Sequence, residues 1–330
     1  MRVVEIRQPG GPDQLVLAQR PDLVPGPGEA LVRVAAAGVN RADLLQRAGH
    51  YPPPPGAPQW PGLEVSGTIV AFGPDGGAGT PAGWRIGDRV VALLAGGGYA
   101  DQVAVPTGLL LPVPDDLDLV DAAALPEAVC TAWSNLVDVG RLGAGEVLLV
   151  QGGSGGVGTV AVQLGAALGA RVLATAGGPD RTARCRELGA AVAIDHRTQD
   201  VAAAVQQATD GHGADVILDV LGAGGLGTNL SALATGGRLV VIGTQQGSRG
   251  ELDLGLLMAR RASVHATALR PRPVPEKERL VADVRAQVWP MLADGRLRAV
   301  VHARLPLAEA GRAHELLASG GVLGKVLLVP

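Results

Sequence analysis

The pattern of apolar positions changes about 146 residues into the chain. Before that point, short β-like apolar runs over residues 30–39, 64–73 and 88–95 are separated by turns rich in proline and glycine. Such spacing is typical of a small all-β barrel or sandwich rather than of strand–helix–strand units. Residues 1–125 are therefore predicted to form a β-rich domain. The strand-like tail returns to it, so that residues 271–330 complete this domain.

From residue 146 onward, buried strands and helical periods alternate. Residues 146–152 form a continuous apolar run, as expected of a strand buried on both faces. Apolar residues from Val157 to Leu168 then recur at spacings of three and four, which predicts an amphipathic helix. Further strands are predicted over 171–176, 190–196, 214–222, 237–243 and 263–269, with helices from 179 and near 199–209, 226–235, 251–261 and 277–294. Six strands with crossover helices predict a doubly wound parallel sheet, within a domain spanning 126–270, and an α/β fold class.

Composition and charge narrow the classes of partner. The formal net charge of −3 gives no electrostatic reason to expect a nucleic acid or an anionic membrane. Cys130 and Cys185 cannot build a disulfide framework and suit a reducing compartment. The uncharged stretch 147–170 is long enough to span a membrane but contains seven glycines. A soluble, cytoplasmic protein without a signal peptide is therefore expected.

A glycine-rich motif falls between the first strand of the second region and the helix after it. The pattern G-x-G-x-x-G is weak by itself in a chain with 49 glycines, but its place at a strand end and a helix start is the one a dinucleotide site requires. Its glycines allow a tight turn, close approach of a pyrophosphate and close helix packing, and the helix N-terminus offers free N–H groups. The motif residues are Gly153, Ser154, Gly155, Gly156, Val157 and Gly158.

The end of the second strand distinguishes between the two nicotinamide cofactors. An NAD site needs an acidic residue there, about 20 residues beyond the motif, to bind the ribose 2′-hydroxyl. Residues 175–178 read Thr-Ala-Gly-Gly instead, while Arg181 and Arg184 follow on the next helix and His196 and Arg197 end the third strand. A neutral pocket rimmed by arginine suits a 2′-phosphate, so NADPH is predicted. The alternative for the two helix arginines is an ordinary solvated helix face.

Segments distributed over the whole chain then resemble a known family. They are residues 38–56, 61–67, 87–90, 96–100, 124–127, Thr131 with Ala132, and 324–326. The chain resembles the medium-chain dehydrogenase/reductase superfamily, and within it the zinc-free, zeta-crystallin-like NADPH:quinone oxidoreductases, particularly the subgroup that includes the tumour-suppressor-induced quinone oxidoreductase. The resemblance implies a GroES-like β-barrel domain plus a Rossmann domain, with the nicotinamide in the cleft between them.

The resemblance also implies which residues contact cofactor and substrate. Asn40, Asp43 and Tyr51 would face the nicotinamide and the substrate, with Tyr51 the best candidate to hydrogen-bond a substrate carbonyl or stack on its ring. Packing within the proline-rich loop is the alternative for Tyr51, and a structural role toward loop amides or Arg41 is favoured for Asp43. Gly177, Arg181 and His196 would surround the 2′-phosphate. Thr131 would lie at the domain junction, and Gly243, Thr244, Leu269 and Arg270 would flank the nicotinamide.

No metal site is expected. Zinc-dependent relatives place a ligating cysteine where this chain reads 40–43 and a His-Glu pair where it reads Leu63-Glu64. Leucine cannot ligate zinc. The structural zinc of those relatives needs four closely spaced cysteines, and none precedes Cys130.

These observations predict an NADPH-dependent reductase that transfers hydride to a quinone without a metal. Such an acceptor is already electrophilic, so positioning and exclusion of water suffice. One alternative is a reductase of enoyl thioesters or other α,β-unsaturated carbonyls, for which Tyr51 would be the proposed proton donor. Another is a non-catalytic NADPH-binding protein with a structural or redox-sensing role. The resemblance suggests a homodimer formed through the edge strand near residues 263–269. The physiological acceptor, one- or two-electron reduction and the proton donor stay open.

Overall fold

A computed structural model of the chain describes residues 1–74 and 83–330. Two compact units are present. The β-rich unit consists of Met1–Cys130, Leu269–Ala293 and Ala299–Pro330. The parallel-sheet unit consists of Thr131–Ala268 and Asp294–Arg298.

The structure contains fifteen strands within residues 1–74 and 83–330, seven of them before residue 113 and eight after residue 146. The first seven are β1 (Arg2–Ile6), β2 (Leu15–Gln19), β3 (Glu29–Val39), β4 (Glu64–Phe72), β5 (Arg89–Leu93), β6 (Gln102–Pro106) and β7 (Leu110–Pro112). The others are β8 (Val147–Val150), β9 (Arg171–Ala176), β10 (Val192–Asp195), β11 (Ala214–Asp219), β12 (Leu233–Val241), β13 (Ser263–Ala266), β14 (Val301–Pro306) and β15 (Lys325–Val329).

The helices range from one turn to four turns in length. They are α1 (Arg41–Arg47), α2 (Leu119–Ala122), α3 (Pro126–Trp133), α4 (Gly156–Ala167), α5 (Pro179–Glu187), α6 (Val201–Ala208), α7 (Leu226–Ala232), α8 (Leu254–Arg260), α9 (Val274–Gln287), α10 (Pro290–Ala293) and α11 (Ala310–Ala318). Within residues 1–74 and 83–330, none of them has both the length and the apolar character needed to cross a bilayer.

One largely antiparallel sheet organises the β-rich unit. Its order is β14-β15-β3-β4-β5-β7, with β6 also paired to β3, while β1 and β2 form a separate ribbon. The C-terminal strand pairs with β3, with Val326 opposite Val39. Strands from both ends of the chain therefore share one sheet, and the C-terminal residues bring their side chains to the end of β3 where α1 begins.

A six-stranded parallel sheet forms the other unit, in the order β10-β9-β8-β11-β12-β13. Numbered within the unit, this is 3-2-1-4-5-6, the order of the dinucleotide-binding Rossmann fold. The prediction of a doubly wound parallel sheet is confirmed. In that order the strands are added on one side of β8 up to β10 and then on its other side from β11 onward. Ligands of such sheets bind at this switch point, at the carboxyl ends of β8 and β11.

Two local expectations differ from the structure. Helix α4 is not amphipathic, because eight consecutive residues from Gly158 to Gly165 are buried. A Cβ at Gly165 would lie 2.5 Å from Leu148 Cδ2, so the glycine lets the helix pack closely on β8. Strand β12 begins at Leu233, four residues earlier than predicted, because the sheet continues through Gly236 (φ +79°) with a register irregularity opposite β11.

Three helices lie in segments whose pattern indicated strands and turns. Helix α1 directly follows β3. At the N-terminus of this helix the Asp43 carboxylate accepts a hydrogen bond of 2.8 Å from the Asn40 N–H, as in a capping box. Helix α3 lies next to the boundary between the two predicted domains. Helix α11 lies between the two C-terminal strands and buries Ala313 and His314. Each of these helices is short or largely buried, so the spacing of its apolar residues does not by itself predict a helix.

Candidate cofactor and substrate sites

The glycine-rich turn lies where β8 ends and α4 begins. A Cβ at Gly153 would approach Ala174 Cβ to 2.7 Å, and one at Gly158 would overlap the carbonyl oxygen of Gly152, so both positions are packed against the protein. A Cβ at Gly155 would instead meet only Gly152 O, at 3.4 Å. Gly155 therefore leaves room for a ligand to approach the backbone at the N-terminus of α4, as a pyrophosphate requires.

A chain of buried polar side chains lies beneath this turn. The Gly152 N–H donates to Thr175 Oγ1 (3.0 Å), whose hydroxyl donates to Gln151 Oε1 (2.8 Å). Gln151 Nε2 then donates to Asn229 Oδ1 (2.7 Å), and Asn229 Nδ2 donates to Asp219 Oδ1 (3.0 Å). Because each amide is bonded at both its oxygen and its nitrogen, this series of hydrogen bonds fixes the turn to three strands and α7. The sequence analysis missed the series, although polar residues at the ends of buried strands indicated it.

Three basic side chains converge on Gly177, directly after β9. The position of a Cβ on Gly177 would lie 2.8 Å from Arg197 Nε, 3.0 Å from Arg181 Nη2 and 3.1 Å from His196 Nε2. The Asp195 carboxylate holds this loop by accepting the Gly178 and Arg197 backbone N–H groups, each at 3.0 Å. Arg197, left out of the predicted set, is thus nearer than either predicted side chain. The arrangement is a cationic pocket of the kind that binds a phosphate.

The other predicted residues of the parallel-sheet unit have the following local surroundings. Arg184 pairs with Glu187 on α5 (2.5 Å). Thr131 is half-buried in α3, where its carbonyl accepts Asn135 Nδ2 (2.8 Å). Gly243 and Thr244 follow β12, and the two residues are half-buried and exposed respectively. Within the turn, Ser154 is buried, and Gly156 and Val157 begin α4 half-buried.

In the β-rich unit, a buried ion pair orients the amide of Asn40. Glu64 is fully buried, and its Oε1 lies 2.5 Å from Lys325 Nζ. Asn40 Nδ2 donates to the same oxygen (2.9 Å), while Asn40 Oδ1 accepts from Lys325 Nζ (2.6 Å). Because the lysine can only donate and the carboxylate can only accept, one orientation of the amide satisfies both. Asn40 is half-buried and is held rigidly.

Asp43 is enclosed by the protein. Its carboxylate accepts the Asn40 N–H (2.8 Å), the Gly62 N–H (3.0 Å) and the Tyr99 hydroxyl (3.3 Å), and the residue is 0% exposed. Burial raises the pKa of Asp43 to about 6, against the opposing effect of the two backbone donors. The expectation that Asp43 faces the substrate is therefore replaced by the structural role, because no surface of the carboxyl group is left for contact.

The network continues from Asp43 to the C-terminal helix α11. Arg47 Nη1 lies 3.2 Å from His314 Nδ1, and Tyr99 Oη lies 3.1 Å from His314 Nε2. Because arginine can only donate, Nδ1 accepts, and the neutral imidazole carries its proton on Nε2 and donates to the tyrosine oxygen. Tyr99 is then free to donate to Asp43. Burial, reinforced by the charge of Arg47, lowers the pKa of His314 to about 3.

Tyr51 is held by Arg270. The guanidinium carbon lies 5.3 Å from the centre of the tyrosine ring, and Nη1 donates to Tyr51 O (3.2 Å). The remaining donors bond Ala95 O through Nε (2.8 Å) and Gln46 Oε1 through Nη2 (2.7 Å). Arg270 is 3% exposed, and its neighbour Leu269 is 6% exposed. The side chain of Arg270 thus positions the Tyr51 loop. That Leu269 and Arg270 flank the nicotinamide stays a prediction.

Comparisons with known proteins agree on one family. The model of the alcohol dehydrogenase GroES-like domain matches residues 26–115, and that of the zinc-binding dehydrogenase matches residues 156–283. The quinone oxidoreductase of Pongo abelii is 31% identical over 336 residues, covering 100% of this chain and 98% of the relative. A mycocerosic acid synthase-like polyketide synthase of Mycolicibacterium smegmatis is 32% identical over 329 residues. That alignment covers 99% of this chain, which spans only 15% of the synthase.

Solved structures show the same likeness. The quinone oxidoreductase of Escherichia coli complexed with NADPH superimposes with a TM-score of 0.86 at 27% identity, over 100% of both chains. The CurK enoyl reductase superimposes with a TM-score of 0.85 at 25% identity, over 99% of this chain and 98% of that one. The chain is an α/β protein of two compact units, and it belongs to the medium-chain dehydrogenase/reductase superfamily, with quinone oxidoreductases among its relatives.

One of the matching family models is named for zinc, but the residues here do not suit that metal. The amide of Asn40 is bonded to Glu64 and Lys325, the Asp43 carboxylate has three donors, and Leu63 has no ligating atom. Among residues 1–74 and 83–330, no group of three or more His, Cys, Asp or Glu side chains is placed to hold a metal ion.

The buried His314 predicts a specific acid sensitivity. In the unfolded chain a histidine binds a proton below about pH 6.5, whereas in the folded protein His314 does so only near pH 3. Stability from this group is therefore complete above about pH 6.5 and is lost as the pH falls toward 3, by up to about 1.4 kcal/mol per pH unit. Urea unfolding of wild type and His314→Gln at about pH 7 and about pH 5 should show the smaller loss in the variant. The exposed His302→Gln is the control, and equal losses in all three proteins would contradict the assignment.

Proposed function

We propose that this chain is an NADPH-dependent oxidoreductase that reduces a quinone without a metal. The observation that carries the proposal is the convergence of Arg181, His196 and Arg197 on Gly177, at a strand end that has no acidic residue of its own. Guanidinium groups bind phosphate oxygens strongly, whereas a ribose 2′-hydroxyl needs a carboxylate acceptor. The likeness to quinone oxidoreductases, one of them solved with NADPH, supports both the cofactor and the acceptor.

Each unit would supply a distinct part of the machinery. The N–H groups at the turn around Gly155 would hold the pyrophosphate, and the basic pocket would hold the 2′-phosphate. Bound NADPH would supply the hydride. In the β-rich unit the fixed amide of Asn40 and the hydroxyl of Tyr51, a half-buried residue, would orient the acceptor carbonyl. Because a quinone is electrophilic, orientation and exclusion of water are sufficient and no Lewis acid is needed.

Reduction of an enoyl thioester or another α,β-unsaturated carbonyl is the second candidate. The likeness to a mycobacterial polyketide synthase and to the CurK enoyl reductase favours it. The two acceptors differ in the protonation step after hydride transfer. A hydroquinone anion can take a proton from solvent, whereas the reduced enone requires a proton at its α-carbon.

We also propose a homodimer formed through β13. This strand is one edge of the parallel sheet, and an unpaired edge invites pairing with a second copy. Helix α8, which precedes β13 in the chain, exposes apolar side chains: Leu254 is 61% exposed and Met258 is 77% exposed. Exposed apolar side chains of this size are typical of a protein–protein interface.

The phosphate pocket predicts cofactor preference. NADPH should bind well over ~10-fold more tightly than NADH, and Arg197→Ala should weaken NADPH binding by ~10–100-fold while leaving NADH binding unchanged, because a charged hydrogen bond contributes about 1.5–3 kcal/mol. Isothermal titration calorimetry with both cofactors measures this. Arg184→Ala is the matched control, since that arginine pairs with Glu187. Similar affinities of the wild type for the two cofactors would remove the basis of the proposal.

The position of Tyr51 predicts a defect in turnover. Tyr51→Phe should lower kcat with a quinone by about 10-fold, through loss of a hydrogen bond to the acceptor, with near-normal NADPH affinity. The assay compares benzoquinone and naphthoquinones with crotonyl-CoA and simple enones, before and after exhaustive chelation. Unchanged turnover in the variant would leave Tyr51 as a packing residue.

The same assay tests the metal-free mechanism and the catalytic role. Activity lost on chelation would refute the metal-free mechanism. A protein that binds NADPH and reduces none of these acceptors would instead fit the non-catalytic role.

The exposed edge predicts the oligomeric state. Sedimentation velocity at micromolar concentration should give about twice the monomer mass of 33.3 kDa. The double variant Leu254→Glu and Met258→Glu should sediment as a monomer, because two buried charges would face each other across the interface. The control is Val24→Glu, a residue 88% exposed in the β-rich unit. A monomeric wild type, or a double variant that stays dimeric, would refute this interface.

A further inference from the structure

Glu127 is a carboxyl group for which the proposed function has no role. It lies in the first turn of α3, where its backbone N–H donates to Glu64 Oε2 (2.9 Å). The residue as a whole is half-buried, so it is not closed off from solvent. No side chain among residues 1–74 and 83–330 donates a hydrogen bond to this carboxyl group or forms an ion pair with it.

The cations around Glu127 are bonded to other groups. Lys325 Nζ bonds Glu64 Oε1 and Asn40 Oδ1. Lys277 Nζ donates to the carbonyl of Arg270 (2.6 Å), and the guanidinium of Arg270 bonds three acceptors elsewhere. Their positive charges favour the Glu127 anion only from a distance.

Burial and the neighbouring carboxylates oppose that anion. Burial has the largest effect on Glu127, the charge of Glu64 comes next, and Asp43 adds to both against Lys325 and Lys277. Together they raise the pKa of Glu127 to about 8. The side chain is therefore a neutral carboxylic acid at neutral pH, with one proton to give.

The other acidic groups of this region are less suitable proton donors. Burial raises the pKa of Tyr51 above its ordinary value of 10 and raises that of Cys130 well above 9, and the charge of Glu127 contributes to both shifts. Asp43 is fully enclosed. A general acid works best with a pKa near the operating pH. Glu127 meets that condition and also reaches solvent. The Glu127 N–H and the Asn40 amide both bond the carboxylate of Glu64, so Glu127 belongs to the cluster that holds Asn40.

We propose that Glu127 stores the proton that the reduced acceptor takes up. This inference rests on the proposed function. After the hydride of the reduced nicotinamide has reached the acceptor, the product carries a negative charge on oxygen or as an enolate. The O–H bond of Glu127 breaks, and a new bond forms from that proton to the anionic oxygen of a hydroquinone or to the α-carbon of an enolate. The carboxylate left behind regains a proton from water through its exposed side.

The first arm of the test titrates the carboxyl group directly and needs no turnover. Wild type and Glu127→Gln are labelled with ¹³C at the glutamate carboxyl carbon, and their NMR spectra are compared across the pH range. The resonance missing from the variant should titrate near pH 8. The exposed Glu251, assigned through Glu251→Gln, is the control for the assignment of single resonances. Titration of Glu127 near the ordinary glutamate value of about 4.3 would overturn the proposal.

The second arm measures kcat against pH at saturating NADPH with each acceptor the wild type reduces. Wild-type kcat should fall above about pH 8 as Glu127 loses its proton, and Glu127→Gln should lack this fall. The variant should also lose ~100-fold in kcat with an enone, within the usual range for a general acid, and less with a quinone, while its NADPH affinity is unchanged. Glu251→Gln should behave as wild type. A variant that keeps the wild-type pH profile would overturn the proposal.

The two arms separate this inference from the proposed function. If no acceptor is reduced by the wild type, the proposed function fails while the titration still decides whether Glu127 holds a proton at neutral pH. If acceptors are reduced and Glu127→Gln retains the wild-type profile, the oxidoreductase stands and the assignment of Glu127 falls.

Discussion

The buried pair of Glu64 and Lys325 is the interaction on which the β-rich unit depends. Removing two charges from water is costly, and such a pair is favourable only when its remaining hydrogen-bonding capacity is filled. Here Glu64 Oε1 accepts Lys325 and Asn40, and Oε2 accepts the N–H of Glu127. A Cβ at Gly38 would overlap Glu64 Oε1, so the glycine in β3 makes room for the carboxylate. One carboxylate thus joins β3, β4, β15 and α3.

That arrangement gives Glu64 and Glu127 different surroundings and therefore different chemical roles. Glu64 has a cation and further hydrogen-bond donors, whereas the Glu127 carboxyl group has the charge of Glu64 beside it and no donor within the described part of the chain. Burial and the charge of Glu64 raise the pKa of Glu127 to about 8, so an ion-paired carboxylate and a neutral carboxylic acid lie in one cluster at neutral pH. The same pair holds Asn40 in one orientation. Positioning of the acceptor and storage of a proton would therefore both follow from a single desolvated carboxylate.

The sequence made the parallel-sheet unit largely predictable and the β-rich site only partly so. Buried strands of a parallel sheet are continuous apolar runs, and a glycine motif between such a strand and a helix is typical of a dinucleotide site, so the six strands and the turn at residues 153–158 could be found from local pattern. Lys325 and Asn40 meet across 285 positions of sequence, and no local pattern reports such a contact. The short helix α1 had a signal in Asn40 and Asp43 at capping spacing. Arg197 was visible, but only the fold shows it beside Gly177.

The two units manage their polar groups by the same principle. Beneath the glycine turn, Gln151 and Thr175 bond to each other and onward to Asn229, so they leave the backbone N–H groups of α4 as the polar surface toward a ligand. Around Glu64, the network satisfies Asn40 and Lys325 internally and leaves Tyr51 and Glu127 half-buried. In these two networks the buried side chains are held in place because their donors have acceptors. The groups that still reach solvent are then held in a geometry that is already fixed, which is the condition that catalysis by positioning requires.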